Sequence, residues 1–292
     1  MRQIFLGRLA GCVAVLCFLP LAVSAQDAPY FITYSHRMEE PGNLEISLSH
    51  ITGRPPDGNR FLNYLTELEY GVKGWWTTEL YLHGQTTAGE STLFTGYRWE
   101  NRFRLLPREH WINPVFYVEW EHLSAADKTL KEVVGFDGHE DLAQPNAETH
   151  RERKKEMEAK LILGSNLKGW NISENFIVEK NFKHEPFEFG YAIGVSRPLA
   201  LAASPMPCRF CLENFVAGAE WYGGLGTHER FGLPGGTSHY LAPTLAWQLP
   251  DGPTLRISPS FGLTQASNRF LLRFGVAYEI QQFGRSMRRL FR

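Results

Sequence analysis

Beyond its first 25 residues this chain has no apolar run long enough to carry a helix through a bilayer, a crossing that takes about 20 residues. Cysteine is scarce: four in 292 residues, with Cys12 and Cys17 inside that N-terminal stretch. Net charge is nearly absent, at -1, so the basic surplus that nucleic-acid binding needs is missing and no nucleic-acid partner is expected. The Gly-x-Ser-x-Gly elbow, the Walker loop and the dinucleotide glycine fingerprint do not occur. These absences set aside helix-spanning membrane proteins and the commonest nucleotide-dependent and serine-hydrolase enzymes.

What is present starts with an address. Arg2 and Arg8 precede an apolar run from Leu9 to Val23, and Val23-Ser24-Ala25 closes it with small residues. This order predicts an export signal over residues 1–25, cleaved near Ala25. Pro20 interrupts the run, and its length of about 15 residues falls short of a span. Leu9-Ala10-Gly11-Cys12 is similar to a lipoprotein box, but Arg8 leaves no apolar run ahead of it. Loss of Arg2 and Arg8 takes the formal charge from -1 to -3, two positive charges fewer. Only Cys208 and Cys211 then remain, as Cys-Arg-Phe-Cys, and in an exported chain they are expected to close a small disulfide ring. A redox pair or half a metal site are the alternatives. Haem attachment is disfavoured because Leu212, not His, follows the second cysteine.

The apolar residues recur at period two, the spacing of strand faces. Twelve segments of this kind run over 44–51, 61–71, 75–83, 92–104, 113–122, 155–165, 170–180, 186–197, 214–224, 238–249, 254–263 and 268–280. In the third, Trp76, Leu80 and Leu82 oppose Glu79, Tyr81 and His83; in the fourth, Leu93, Tyr97, Trp99 and Phe103 oppose Arg98, Glu100, Arg102 and Arg104. In the last, Phe270, Leu272, Phe274, Val276, Tyr278 and Ile280 oppose Arg273, Gly275, Ala277 and Glu279. One greasy face and one polar face suit a strand between lipid and a wet lumen.

Short connections at 72–74, 167–169 and 250–253 follow even segments, while the long polar stretch 123–154 follows the fifth. That parity predicts an all-β, antiparallel, up-and-down transmembrane barrel of twelve strands with short periplasmic turns and longer external loops. The barrel is expected over 44–283, preceded by a periplasmic or lumen-tucked segment at 26–43 and followed by a basic, irregular periplasmic tail at 284–292. Residues 30–37 look like a thirteenth strand, but a thirteenth crossing would reverse the N-terminus. Fourteen strands with one missed, and a soluble β-sandwich hiding its aromatics between sheets, are the alternatives. Trp76, Trp99, Trp120, Trp170, Trp221, Tyr70, Tyr191 and Tyr240 lie mostly near strand ends, as interfacial belts do. Glu174 falls on the apolar face, and Pro243 and Pro259 interrupt strands; a bulge near each could restore the face or move the charge to a rim.

The inward set is expected to hold Glu45, Glu67, Glu69, Glu79, Glu100, Glu119, Glu121, Glu156, Glu158, Glu179, Glu188, Glu220 and Glu279 against Arg98, Arg102, Arg104, Lys160, Arg256 and Arg273. Facing lipid at mid-depth, each basic group would cost about 2–4 kcal/mol and each acidic group somewhat less. They must face water, as a net-acidic pore that favours cations modestly, or pair across strands and fill the interior. The 123–154 stretch carries Asp127, Asp137, His139, Glu140, Asp141, Glu148 and His150 without metal-ligand spacing, and reads as a solvated external loop that could also fold inward. His122 and Ser124 are the one local candidate for a lipid hydrolase, without the flanking string of the outer-membrane phospholipase family.

Arg273, Gly275, Tyr278 and Ile280 resemble the C-terminal sorting signal of bacterial outer-membrane barrels, which implies delivery by the barrel-assembly machinery to the outer membrane of a Gram-negative cell. The chain continues past Phe283, where such barrels usually end. Tyr30-Phe-Ile-Thr-Tyr34, the regular strands and Gly275-Val-Ala-Tyr278 loosely resemble the channel-type outer-membrane proteins associated with meta-pathway phenol degradation. That resemblance implies passive uptake of small solutes or ions, with lipid and solute as partners and no cofactor. A closed structural or surface-interaction barrel, or least of all a lipid-modifying enzyme, stands as the alternative.

Overall fold

The computed structural model describes residues 28–55, 58–129, 143–183, 185–206, 208–232, 236–250 and 252–290, with 287–290 in backbone alone. The predicted export signal lies outside the described residues. Twelve strands run in order: β1 Leu44–Gly53, β2 Phe61–Lys73, β3 Trp76–Thr87, β4 Thr92–Arg104, β5 Asn113–Ser124, β6 Arg153–Leu167, β7 Trp170–Asn181, β8 Phe187–Pro198, β9 Phe215–Thr227, β10 His239–Gln248, β11 Thr254–Gly262 and β12 Phe270–Ile280. Each pairs antiparallel with its neighbour, and β1 pairs β12, so the sheet closes on itself. The seam spans ten residue pairs, from Leu44 opposite Ile280 to Gly53 opposite Leu271. Neither a fourteenth strand nor a sandwich is needed.

Closure follows from the alternation. Leu80, Leu82, Trp99, Phe116, Leu161, Phe176, Trp221 and Phe274 are exposed on the outer wall, while Glu79, Glu100, Glu119, Ser173, Asn175 and Arg273 are buried inside. A water-soluble core has the opposite arrangement. A closed sheet also leaves no edge of unpaired N–H and C=O groups, the condition for backbone surrounded by hydrocarbon.

Local departures bend the pattern. Gly96, with φ 150°, sits at a register shift between β3 and β4. A Cβ there would overlap the His122 carbonyl, so only glycine fits. The bulge flips the strand beyond it, turning Phe94 (62% exposed) outward and pairing Leu93 with the inward Gln85, so Leu93 is not on the outer face as its spacing suggested. Tyr240 is likewise inside, stacked on Tyr222, because Leu241, Leu245 and Trp247 set the outward phase of β10. No bulge accompanies the prolines. Pro243 and Pro259 instead fall opposite one another, and the β10–β11 ladder lapses between the pairs Leu241–Phe261 and Leu245–Ile257. Neither proline has an N–H to donate.

The two ends differ from the simple turn rule. The start of β1 and the end of β12 lie at the rim with the even connections, the chain-end rim, and so does the long connection 199–214, in which Cys208 and Cys211 are joined by a disulfide. Phe210 of that connection stacks on the outward Trp247 at 4.9 Å, and the Trp247 indole N–H donates to the Arg209 carbonyl. After β12 the tail is not irregular: it forms helix α2, Phe283–Leu290, started by N–H bonds from Arg285 and Ser286 to the Gln282 carbonyl. A second short helix, α1 Asn146–Thr149, lies between β5 and β6.

Candidate functional site

The interior is shaped by a guest that the chain supplies itself. Residues 28–43 form no strand; 30–38 lie inside the barrel, and Glu40 and Pro41 are exposed at its rim. Three successive backbone N–H groups, of Phe31, Ile32 and Thr33, donate to the Glu220 carboxylate of β9 at 2.9, 2.8 and 2.7 Å. Hydrogen bonds to a charged acceptor each contribute about 1.5–3 kcal/mol. On the other side Tyr34 exchanges backbone bonds with the Asn175 amide at 2.7 and 2.9 Å, and its hydroxyl donates to Glu100 at 2.7 Å. Arg256 and Arg102 donate to the carbonyls of Tyr30 and Arg37. The wall makes room with glycine. A Cβ at Gly164 would overlap the His36 ring, one at Gly194 would come within 2.7 Å of the Tyr30 ring, and one at Gly275 within 3.2 Å of Phe31. Apolar packing completes the seat, with Tyr34 and Met38 against Val115, Tyr117 and Ile162, and Ile32 against Tyr222 and Leu271.

Around this segment the charged wall has an order of its own. Glu279, Glu45, Glu69, Glu79, Glu100, Glu119, Glu158, Glu179 and Glu188 are direct cross-strand partners, one per strand from β12 through β1 to β8. Glu45 is the second residue of β1, at the rim with the chain ends, and Glu188 is the second residue of β8, which starts at the far rim. The nine therefore climb the inner wall from one mouth to the other, because tilted strands carry a line of direct partners obliquely round a barrel. Cations interleave with them. Arg102 pairs with Glu69, Glu79 and Glu100; Arg98 pairs with Glu119 at 3.1 Å; Lys160 pairs with Glu158 at 2.8 Å.

Cavities remain beside the segment. One of about 180 Å³, toward the chain-end rim, is lined by Glu45, Glu67, Glu69 and Arg256 among others. A second of about 140 Å³, toward the far rim, is lined by Asn63, His83, Glu121, Glu158 and Glu179 among others. Phe31, Tyr34 and Arg98 border both and separate them.

Above the second cavity the start of the long connection dips into the mouth instead of standing in solvent. Asp127 is buried there, accepting from Thr95 at 2.6 Å, from Thr129 at 2.6 Å and from Asn63 at 3.3 Å. The Gln85 amide takes the Lys128 N–H and donates to the Ala126 carbonyl. Burial opposes the Asp127 charge. The His83 contact and the Thr129 and Thr95 hydroxyls overcome that and hold its carboxyl well below the usual range.

Of the residues singled out for the lumen, Glu79, Glu100, Arg102, Glu119, Glu121, Glu156, Glu158 and Arg273 are buried on the inner face. Glu67, Glu69, Arg98 and Arg256 are half-buried there, with Glu67 accepting from Ser47, and Glu279 is exposed at the rim, accepting from Asn43 at 2.6 Å. Asp137, His139, Glu140 and Asp141 lie outside the described residues, and the His150 ring bonds to the carbonyl of Asn146. His122 stacks on the outward Tyr97, whereas the Ser124 hydroxyl donates to the His150 carbonyl and accepts from the Ala126 N–H. The two do not form a nucleophile–base pair. Missed by sequence reasoning were Glu220 as a clasp, the wall glycines as sockets, the amides Asn171, which accepts from the Tyr30 hydroxyl at 3.1 Å, and Asn175, and the register of the glutamates. The Tyr30-Phe-Ile-Thr-Tyr34 run, aromatic on a polar-flanked segment, was the available signal for the guest.

No family model matches the chain, and no curated protein matches it. Among solved structures it is similar to the KdgM porin at 9% identity, over 80% of this chain and 98% of that one, with TM-score 0.47. The NanC porin is similar at 9% identity over 81% and 100%, with TM-score 0.48. An outer membrane channel from Pseudomonas putida F1 is similar at 9% identity over 87% and 100%, with TM-score 0.49.

Proposed function

We propose that this chain is an outer-membrane barrel that passes small solutes or ions passively along its lumen, with residues 28–43 setting the width of the path. The apolar outer wall supports a lipid setting and β12 a route through barrel assembly. The observation that carries the transport reading is an interior charged from rim to rim, with open volume on both sides of the seated segment. An interior meant only to be filled is cheaper in apolar side chains than in buried ion pairs. The net-acidic lining favours cations. Planar-bilayer recording tests it: discrete channels with a modest cation preference are expected. Silence from both the mature protein and a form lacking residues 26–38 overturns it.

One observation favours a second reading. The glycine sockets and the Glu220 clasp fit the segment closely, as they would in a permanently closed barrel serving as a surface or structural element. The same silence would establish that reading.

A further inference from the structure

The unbroken line of nine glutamates is expensive, since like charges placed directly opposite on neighbouring strands destabilise a sheet. Arg102, Arg98 and Lys160 offset part of the charge. Midway along the line the offset runs short. On the β5–β6 wall the carboxylates of Glu119, Glu121 and Glu158 meet two cations, Arg98 and Lys160, so acidic groups outnumber basic ones there. Carboxylate oxygens of Glu119, Glu121 and Glu158 lie within 4.8 Å of one another, and all three side chains are buried. Glu119 is 1% exposed, and while its Oε1 takes the Arg98 bond, its Oε2 has no hydrogen-bond partner among the described residues. Beside them is the cavity of about 140 Å³ that Glu121, Glu158 and Glu179 line.

We propose that this triad binds a hard divalent cation, and that the glutamate line is the path by which such cations cross the barrel. The path rests on the channel reading above; the site does not. The donors are all carboxylate oxygens, the set that calcium and magnesium take, whereas zinc prefers nitrogen and sulfur. His83 lines the same cavity; one ring nitrogen accepts from Arg98 at 2.9 Å and the other faces Asp127 at 3.5 Å, and it is not part of the carboxylate triad.

Calcium chloride is the probe, applied to the mature protein in detergent at constant ionic strength. Equilibrium dialysis is expected to show saturable calcium binding, and calcium is expected to raise the thermal midpoint, as any ligand of the native state does. Glu121→Gln, which breaks no ion pair, and Glu158→Gln, whose amide oxygen still accepts from Lys160, should each weaken binding about tenfold, because charge count tunes such sites. Glu174→Gln, on the outer wall, should bind as the wild type does. In bilayers, calcium should reduce potassium current through the wild type and lose that effect in Glu121→Gln. Absent calcium binding, or binding unchanged in both triad variants, overturns the proposal. Calcium bound by a protein that never conducts would sink the channel and leave the site; conduction without calcium binding would do the reverse.

Discussion

At the scale of single residues, the interior is held by groups whose alternatives are poor. Asp127 is buried at the far mouth with hydrogen-bond donors from Asn63, Thr95 and Thr129 around it. A carboxyl whose folded pKa is depressed stabilises the fold above its unfolded value, near 3.9, and that contribution fades as pH falls toward the folded value. Asp127→Asn should therefore lower the thermal midpoint at neutral pH and remove part of the loss of stability between about pH 4 and 2. Acid titrations followed by near-UV circular dichroism would show it; parallel wild-type and variant curves would count against it. Gly164 is a second such group, because a methyl there overlaps the His36 ring. Gly164→Ala should free the N-terminal segment without opening the barrel wall, seen as faster proteolysis near residue 30 with unchanged far-UV dichroism. Overpacking of this kind costs about 1–3 kcal/mol.

Elements tell where sequence could be read and where it could not. Period two was enough to find all twelve strands, since each has a face for lipid and a face for the lumen. It failed at Leu93, because a bulge changes phase over a single residue and only the close approach of the His122 carbonyl reveals why Gly96 is there. Connection lengths were a looser guide: 199–214 is long yet lies at the rim with the short turns. The tail after β12 read as irregular because terminal segments commonly are, but a stretch without proline beyond Gly284 is free to coil. The paired prolines were visible in sequence and their opposition was not, since register is a property of two strands. Replacing Pro243 and Pro259 together with valine, β-branched and suited to an outward strand position, should restore ladder bonds at about 1 kcal/mol each. The thermal midpoint in detergent should rise; a fall would show that the lapse relieves strain elsewhere.

For the whole molecule, the inward charges were legible one strand at a time, but their alignment into a single line was not, because it depends on the shear of the closed barrel. The same holds for the seated segment: no local pattern says that Glu220, nearly two hundred residues away in sequence, will meet the N–H groups of Phe31 to Thr33. Its removal is the largest change the fold allows without touching the wall. A chain lacking residues 26–38 should keep its twelve strands and conduct several times more than the intact protein in the same bilayers. Equal conductance would mean that ions already bypass the segment.

The closing seam between β1 and β12 begins directly after that guest. The wall must therefore either zip shut around a peptide already threaded through its middle, like a bottle blown around its ship, or admit the peptide afterwards through the open rim beside the chain ends. On the second route the last step of assembly is a docking event at that rim. Maturation of this protein then has a checkpoint that an empty cylinder would lack: a stave ring can be complete while its contents are not.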